Sequence, residues 1–143
     1  MSPDIDGQIK QLSLEEKAAL CVGMDFWMTK NISEKGVRPL FLSDGPHGIR
    51  KQDVKNADHL GINESHHSVC YPTACAAACT WDRELIEEMG ECLGREAKDM
   101  GVDILLGPGI NIKRSALCGR NFEYYSEDPY LAGELSEIGR AHV

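Results

Sequence analysis

The 143 residues suit one domain, and a composition of 42% hydrophobic and 27% charged residues is that of a globular protein rather than a disordered, collagen-like or membrane protein. The net charge of −8, with no basic run, gives nucleic acid no electrostatic footprint to dock on. We find neither a basic and apolar leader nor 18 consecutive apolar residues, so we expect a soluble, cytoplasmic protein without a membrane partner.

The first half of the chain predicts one helix and one strand. Ser13 and Glu16 form the capping-box pattern S-x-x-E ahead of good helix formers, which predicts a helix to about Met24. The apolar run at residues 40–42, cut off by the turn sequence SDGP, predicts a buried strand. Residues 51–68 are polar and aperiodic and are expected to form a loop.

The second half predicts a long helix, a strand and a shorter helix. Asp82 can cap a helix to about Met100, stopped by Gly101, and its apolar stripe consists of Ile86, Met89, Leu93, Ala97 and Met100. Residues 102–106 predict the next buried strand. Asp128 and Pro129 are typical of a helix start, and the stripe that follows consists of Leu131, Leu135 and Ile138.

Two buried strands separated by a helix indicate a parallel sheet and therefore an α/β fold. Both strands run into glycine-rich polar loops, SDGPHGIR and LGPGINIKRSALCGRNFEYYSEDP. Such folds place ligands beyond the carboxyl ends of parallel strands. Neither loop contains GxGxxG or GxxxxGK[ST], so phosphate binding is not supported.

These two loops carry the candidate binding residues. Asp44 and Arg50 flank the first turn, and Arg120 and Glu123 lie in GRNFE. Carboxylates that accept from neighbouring hydroxyls and arginines that donate to several oxygens are the chemistry of polyol recognition. Two simpler interpretations stay open: Asp44 caps its own turn, and Arg120 with Glu123 is a structural ion pair.

The cysteines raise a different possibility. Cys70, Cys75 and Cys79 recur at spacings of five and four behind His66 and His67, but no CxxC knuckle is present. Because CYPTACAAAC is small and apolar, we interpret these thiols as buried and the histidines as solvated loop residues. We expect no metal and no cofactor, and a thiol-ligated metal or redox protein is kept as an alternative function.

The sequences SDGPHGIR, CYPTACAAACTWD and GPGINIKRSALCGRNFEYYSEDP resemble glycoside hydrolase family 3 in its β-glucosidase branch, over about residues 13–137. The resemblance implies a retaining, exo-acting β-glycosidase with an N-terminal (β/α)8-type barrel and a following α/β sandwich domain. It implies that Asp44, Arg50 and Arg120 bind the terminal sugar. Lys113 and Ala116 stand where the family more often has His and Pro.

The resemblance also implies that the catalytic residues lie elsewhere. Retaining hydrolysis needs a carboxylate nucleophile and a carboxylic acid about 5–5.5 Å apart. In this family both follow later in the chain than residue 143, as does a Lys-His pair of the sugar subsite. We therefore expect part of a sugar subsite, in an incomplete N-terminal portion of the barrel, and no catalytic residue. A sugar-binding module without catalysis is the second alternative, and the oligomeric state is undetermined.

The last six residues, 138–143, resemble the translation of a common sequencing adapter. We therefore expect residues 1–137 to be partial barrel domain and the tail to be non-native, with the native chain diverging after Glu137. The alternative is an ordinary helix end with basic residues near its C-terminus.

Overall fold

The computed structural model describes residues 4–45, 47–52 and 64–139. In these ranges five α-helices, two β-strands and two 3₁₀ helices follow one another: α1 Ile5–Gln11, α2 Leu14–Leu20, a 3₁₀ helix Ser33–Lys35, β1 Leu42–Ser43, α3 Ala74–Ala78, α4 Arg83–Asp99, β2 Ile104–Leu105, a 3₁₀ helix Asn121–Glu123 and α5 Pro129–Ile138. Among these helices, none combines the length and the apolar character needed to cross a membrane.

Helix α2 begins as predicted and ends earlier. The Ser13 hydroxyl accepts from the Glu16 N–H, and the Glu16 carboxylate accepts from the Ser13 N–H, so both halves of the capping box are formed. The helix ends at Leu20 rather than near Met24. The last turn of the helix is tighter than an α-helical turn. The Met24 N–H does not continue the helix but donates to the Met28 carbonyl, in a segment that forms an antiparallel bridge.

The two strands pair in parallel, which confirms the α/β prediction. Leu42 lies opposite Ile104, and Ser43 lies opposite Leu105. Strand β1 starts later than the predicted run at residues 40–42 and includes Ser43, and β2 is shorter than the run at residues 102–106. The prediction that the second strand is buried is wrong for Ile104, which is 40% exposed. The carbonyl of Phe41, the residue before β1, accepts hydrogen bonds from the N–H groups of Asp103 and Ile104 at the start of β2.

Helix α4 is the central packing element. The Asp82 carboxylate accepts from the Leu85 N–H at its start, and Gly101, with a φ of 67°, follows its end. Ile86, Leu93 and Ala97 of the predicted stripe are buried, and Met89 and Met100 are partly buried against the core. Gly90 and Gly94 are buried on the same helix.

The cysteine prediction is wrong in the described structure. Helix α3 buries Ala74, Ala77 and Ala78, which recur at helical spacing on one face. Cys75 and Cys79 each follow one of these alanines by one position, so they turn away from that face: Cys75 is partly exposed and Cys79 exposed. On this helix the alanines, rather than the cysteines, form the close contact with the core. Cys70, ahead of the helix, is exposed as well.

Helix α5 starts as the sequence predicts, with the Asp128 carboxylate accepting from the Tyr130 N–H and Pro129 in the first turn. Leu135 is buried, and the other two residues of the predicted stripe pack partly buried against the same cluster as α3 and α4. Ala132 completes this face. Helix α5 ends at Ile138, and residues 140–143 lie outside the described residues.

Candidate sugar-binding site

The parallel pairing of β1 with β2 determines where the two informative loops lie. The Leu106 N–H, one residue past β2, donates to the Ser43 carbonyl at 2.7 Å, and Ser43 is fully buried. Asp44 follows immediately on β1, and the glycine-rich loop follows on β2. The carboxyl ends of both strands therefore deliver their loops to one edge of the sheet.

Backbone hydrogen bonds close the turn after β1. The Gly48 N–H donates to the Gly45 carbonyl at 3.0 Å, and the Arg50 N–H donates to the Asp44 carbonyl at 3.1 Å. Gly45 has a φ of 105°, and a Cβ there would lie 2.0 Å from the Gly48 carbonyl oxygen, so the turn requires glycine at this position. Ile49, only 1% exposed, anchors the turn in the core.

The Asp44 side chain pairs with Arg50 and does not cap its turn. Its Oδ1 accepts from Arg50 Nε at 3.0 Å, and its Oδ2 accepts from Arg50 Nη2, so the guanidinium binds the carboxylate as a fork. Within the described ranges, no backbone N–H reaches this carboxylate, so the turn-capping interpretation is wrong. Both side chains are 38% exposed. A carboxylate has about four lone-pair sites, so two can still accept from a ligand.

The loop after β2 is built around the buried ring of Tyr124. Gly109 forms a bridge with Tyr124, and a Cβ on Gly109 would lie 2.7 Å from the Glu123 carbonyl oxygen and 2.9 Å from the tyrosine ring. The Asn111 side-chain amide donates to the Tyr124 hydroxyl at 3.2 Å. Glycine is thus needed for the close approach of the two segments, and the 3₁₀ helix Asn121–Glu123 is fixed against the first part of the loop.

Arg120 is held at the start of that 3₁₀ helix. Its Nε donates to Glu123 Oε1, and its guanidinium carbon lies 5.7 Å from the centroid of the Tyr124 ring. The hydrogen bond to Glu123 raises the pKa of the Arg120 guanidinium above its ordinary value. The ion-pair interpretation is therefore confirmed, yet the Arg120 side chain is still 70% exposed and can bind a ligand.

The structure brings the two loops into contact through His47 and Phe122, whose ring centroids are 6.0 Å apart. The sequence pattern does not single out either residue, although both lie inside the two loop motifs. Phe122 sits between the arginine and the glutamate of GRNFE, and His47 lies between Asp44 and Arg50. The candidate residues Asp44, Arg50 and Arg120 therefore belong to two loops that touch.

The alternative of a thiol-ligated metal centre gains no support from the geometry. Across the ranges 4–45, 47–52 and 64–139, no three His, Cys, Asp or Glu side chains cluster so that they could hold a metal ion. His66 and His67 are exposed, as expected for loop residues.

Comparison with known proteins points to one family. The chain matches the family described as the glycosyl hydrolase family 3 N-terminal domain over residues 55–139, more than half of its length. It is 55% identical over 136 residues to thermostable beta-glucosidase B of Acetivibrio thermocellus, a match that covers 95% of this chain and 18% of that protein. It is 43% identical over 133 residues to an exo-alpha-(1->6)-L-arabinopyranosidase of Bifidobacterium longum, with coverages of 93% and 18%.

A solved structure shows the same fold. The beta-glucosidase of Kluyveromyces marxianus in complex with glucose matches with a TM-score of 0.85 and 35% identity, over 95% of this chain and 15% of that one. The chain thus spans less than a fifth of the length of these relatives. The predicted fold, an incomplete N-terminal portion of a (β/α)8 barrel, is confirmed by the family match together with this similarity.

Proposed function

Since this chain belongs to glycosyl hydrolase family 3, we propose that it is the N-terminal part of a retaining, exo-acting β-glycosidase and supplies one side of its terminal-sugar subsite. The residues of this subsite are Asp44, Arg50 and Arg120. The observation that carries the proposal is the parallel pairing of β1 with β2, which delivers the loops of all three residues to one edge of the sheet. The contact between His47 and Phe122 supports it.

Asp44 and Arg120 form opposite kinds of hydrogen bond with the sugar ring, one as acceptor and the other as donor. Sugar hydroxyls donate to the remaining lone pairs of Asp44, and the Nη groups of Arg120 donate to sugar oxygens. Arg50 holds the Asp44 carboxylate in a fixed plane. As the ring flattens toward the oxocarbenium-like transition state, these bonds tighten and lower the barrier. The nucleophile and the general acid belong to later parts of the whole protein.

The identity of the sugar differs among the relatives. One carries the name beta-glucosidase and another the name exo-alpha-(1->6)-L-arabinopyranosidase. We propose a terminal β-linked glucose or a related sugar as substrate. Relative rates on a panel of aryl glycosides would show which sugar hydroxyls are recognised. The cytoplasmic location also stays a prediction, to be tested by cell fractionation.

Asp44→Ala and Asp44→Asn in the full-length protein test the subsite. Two charge-assisted hydrogen bonds in the transition state contribute about 3–6 kcal/mol, so Asp44→Ala should reduce kcat/KM by about 10²- to 10⁴-fold. Asp44→Asn should also lose much activity, because an amide is neutral and half donor. Melting temperature is measured in parallel, with the exposed Asp6→Asn of α1 as control. Near-normal kcat/KM in Asp44→Asn would refute the sugar-ligand role.

Two further measurements separate the alternatives. Sequencing of the source locus tests the boundary after Glu137: an open frame with a different residue 138 supports a non-native tail, whereas a genuine stop after Val143 refutes it.

Titration of the 143-residue chain with glucose tests the non-catalytic module, which predicts measurable affinity without the rest of the barrel.

A further inference from the structure

The 3₁₀ helix Asn121–Glu123 places one acidic side chain beside the candidate sugar-binding arginine. Side chains three residues apart eclipse one another in a 3₁₀ helix, and Arg120 and Glu123 have this spacing. Glu123 is only 20% exposed, whereas Arg120 is 70% exposed. The acid therefore lies on the protein side of the pair, and the guanidinium extends outward from it.

A second contact restrains the same guanidinium from another direction. The Arg120 guanidinium carbon lies 5.7 Å from the centroid of the Tyr124 ring. That ring is itself fixed, because Tyr124 is 7% exposed, its hydroxyl accepts from Asn111, and Gly109 packs against it too closely to tolerate a Cβ. The aromatic face is thus a rigid support for a flexible side chain.

These contacts occupy one part of the guanidinium and leave the other open. Glu123 accepts from Nε, so the four N–H bonds of the two Nη groups remain for a ligand. An unrestrained arginine loses much rotamer freedom when it binds, and a restrained one has already lost it. We propose that Glu123 and Tyr124 are positioning residues that hold the Arg120 guanidinium for the terminal sugar, an inference that rests on the proposed function.

The first test compares Glu123→Gln with Glu127→Gln in the full-length protein. Glutamine keeps an acceptor of similar shape but loses the charge that orients the guanidinium. We expect Glu123→Gln to lower kcat/KM for an aryl β-glycoside by about 10- to 100-fold, mainly through kcat, because a misplaced arginine weakens the transition state most. Glu127, an exposed acid of the same loop, serves as the matched control and should leave kcat/KM unchanged.

Chemical rescue gives a measurement that would not change if Glu123 and Tyr124 had only a structural role. In Arg120→Ala, added methylguanidinium should restore part of kcat by occupying the vacated place between Glu123 and Tyr124. The double variant Arg120→Ala/Glu123→Gln should show no rescue. Tyr124→Phe, which keeps the aromatic face, should retain rescue of Arg120→Ala, whereas Tyr124→Leu should reduce it.

The outcomes separate this inference from the proposed function. Normal activity in both Arg120→Ala and Asp44→Asn would refute the sugar subsite itself. A large loss in Arg120→Ala together with wild-type kinetics in Glu123→Gln would refute the positioning role alone. Equal rescue of Arg120→Ala with and without Glu123 would also overturn it. If Glu123→Gln lowers the melting temperature, the rescue experiment still decides, because rescue is compared within each folded variant.

Discussion

At the scale of single residues, the Asp44–Arg50 pair orients a carboxylate of the proposed sugar subsite. The guanidinium fork fixes the plane of the carboxylate, and the remaining lone pairs point away from it. Since both side chains are 38% exposed, the pair itself adds little to stability. Its value lies in orientation, because a carboxylate that is already oriented loses less freedom when a sugar binds.

Replacement of Arg50 by lysine tests orientation directly. Lysine keeps the positive charge and loses the two-point fork, so Arg50→Lys should lower kcat/KM of the full-length protein about tenfold while its melting temperature changes little. Arg95→Lys is the matched control, since Arg95 pairs with Glu91 on the exposed side of α4. Arg50→Lys with the same kcat/KM as Arg95→Lys would contradict an orienting role.

At the scale of elements, Asp103 joins the segment before β1 to the one before β2. Its carboxylate accepts from Arg38 Nη2 at 2.6 Å and from the Phe41 N–H at 2.8 Å. The hydrogen bond from Arg38, together with that from Phe41, lowers the pKa of the Asp103 carboxyl below its ordinary value of 3.8. The ionised form is therefore the one that holds the amino ends of the two strands together.

The pH dependence follows from this lowered pKa. Because the folded state binds the proton more weakly than the unfolded state, the stabilisation is present above the ordinary value and is lost as pH falls through the lower, folded value. We expect Asp103→Asn to speed amide exchange at Phe41 by about fivefold at neutral pH, equivalent to about 1 kcal/mol.

The measurement is the ratio of variant to wild-type exchange rates in the full-length protein. This ratio should fall toward one as the pH drops below the ordinary value of 3.8. Glu87→Gln, a change at an exposed acid of α4, should give a ratio near one throughout. A ratio for Asp103→Asn that does not change with pH would show that ionisation of Asp103 contributes nothing.

At the scale of the whole molecule, the described segment is an unfinished structure. A complete (β/α)8 barrel has about 250 residues and eight strands, whereas the described ranges hold one parallel pair. Neither strand has a second β-strand beside it among the described residues, although the Leu42 N–H of β1 donates to the Trp27 carbonyl. Large apolar side chains of β2 and of the loop that follows it are exposed: Ile104, Leu106, Ile110 and Leu117. Such edges and faces are suited to cover by further barrel units.

We expect the 143-residue chain by itself to hydrolyse no aryl β-glycoside above background. The proposed mechanism needs a carboxylate nucleophile and a carboxylic acid on opposite sides of the scissile bond, and we expect both residues to lie in later parts of the whole protein. The assay is release of the aryl alcohol by the purified chain, with the full-length protein as positive control. Turnover by the chain that disappears in Asp44→Asn would contradict this and assign Asp44 a catalytic role.

The sequence by itself determined the features that depend on neighbours a few residues apart. The starts of α2, α4 and α5 were predicted because Ser13, Asp82 and Asp128 cap backbone N–H groups within three residues. The helical stripe of α4 follows from a fixed periodicity in the same way. The long motif of the second loop was sufficient to identify the family, which the comparisons confirm.

Only the tertiary structure decided what depends on residues far apart in the chain. Which face of α3 is buried, where the strands start and end, and the contact of His47 with Phe122 all depend on packing between segments separated by dozens of residues. The partner of Asp44 belongs here too, because a carboxylate at a turn can cap the backbone or bind a side chain, and local sequence permits both. Hydrogen bonds within a turn are encoded locally, whereas burial is a property of the assembled core.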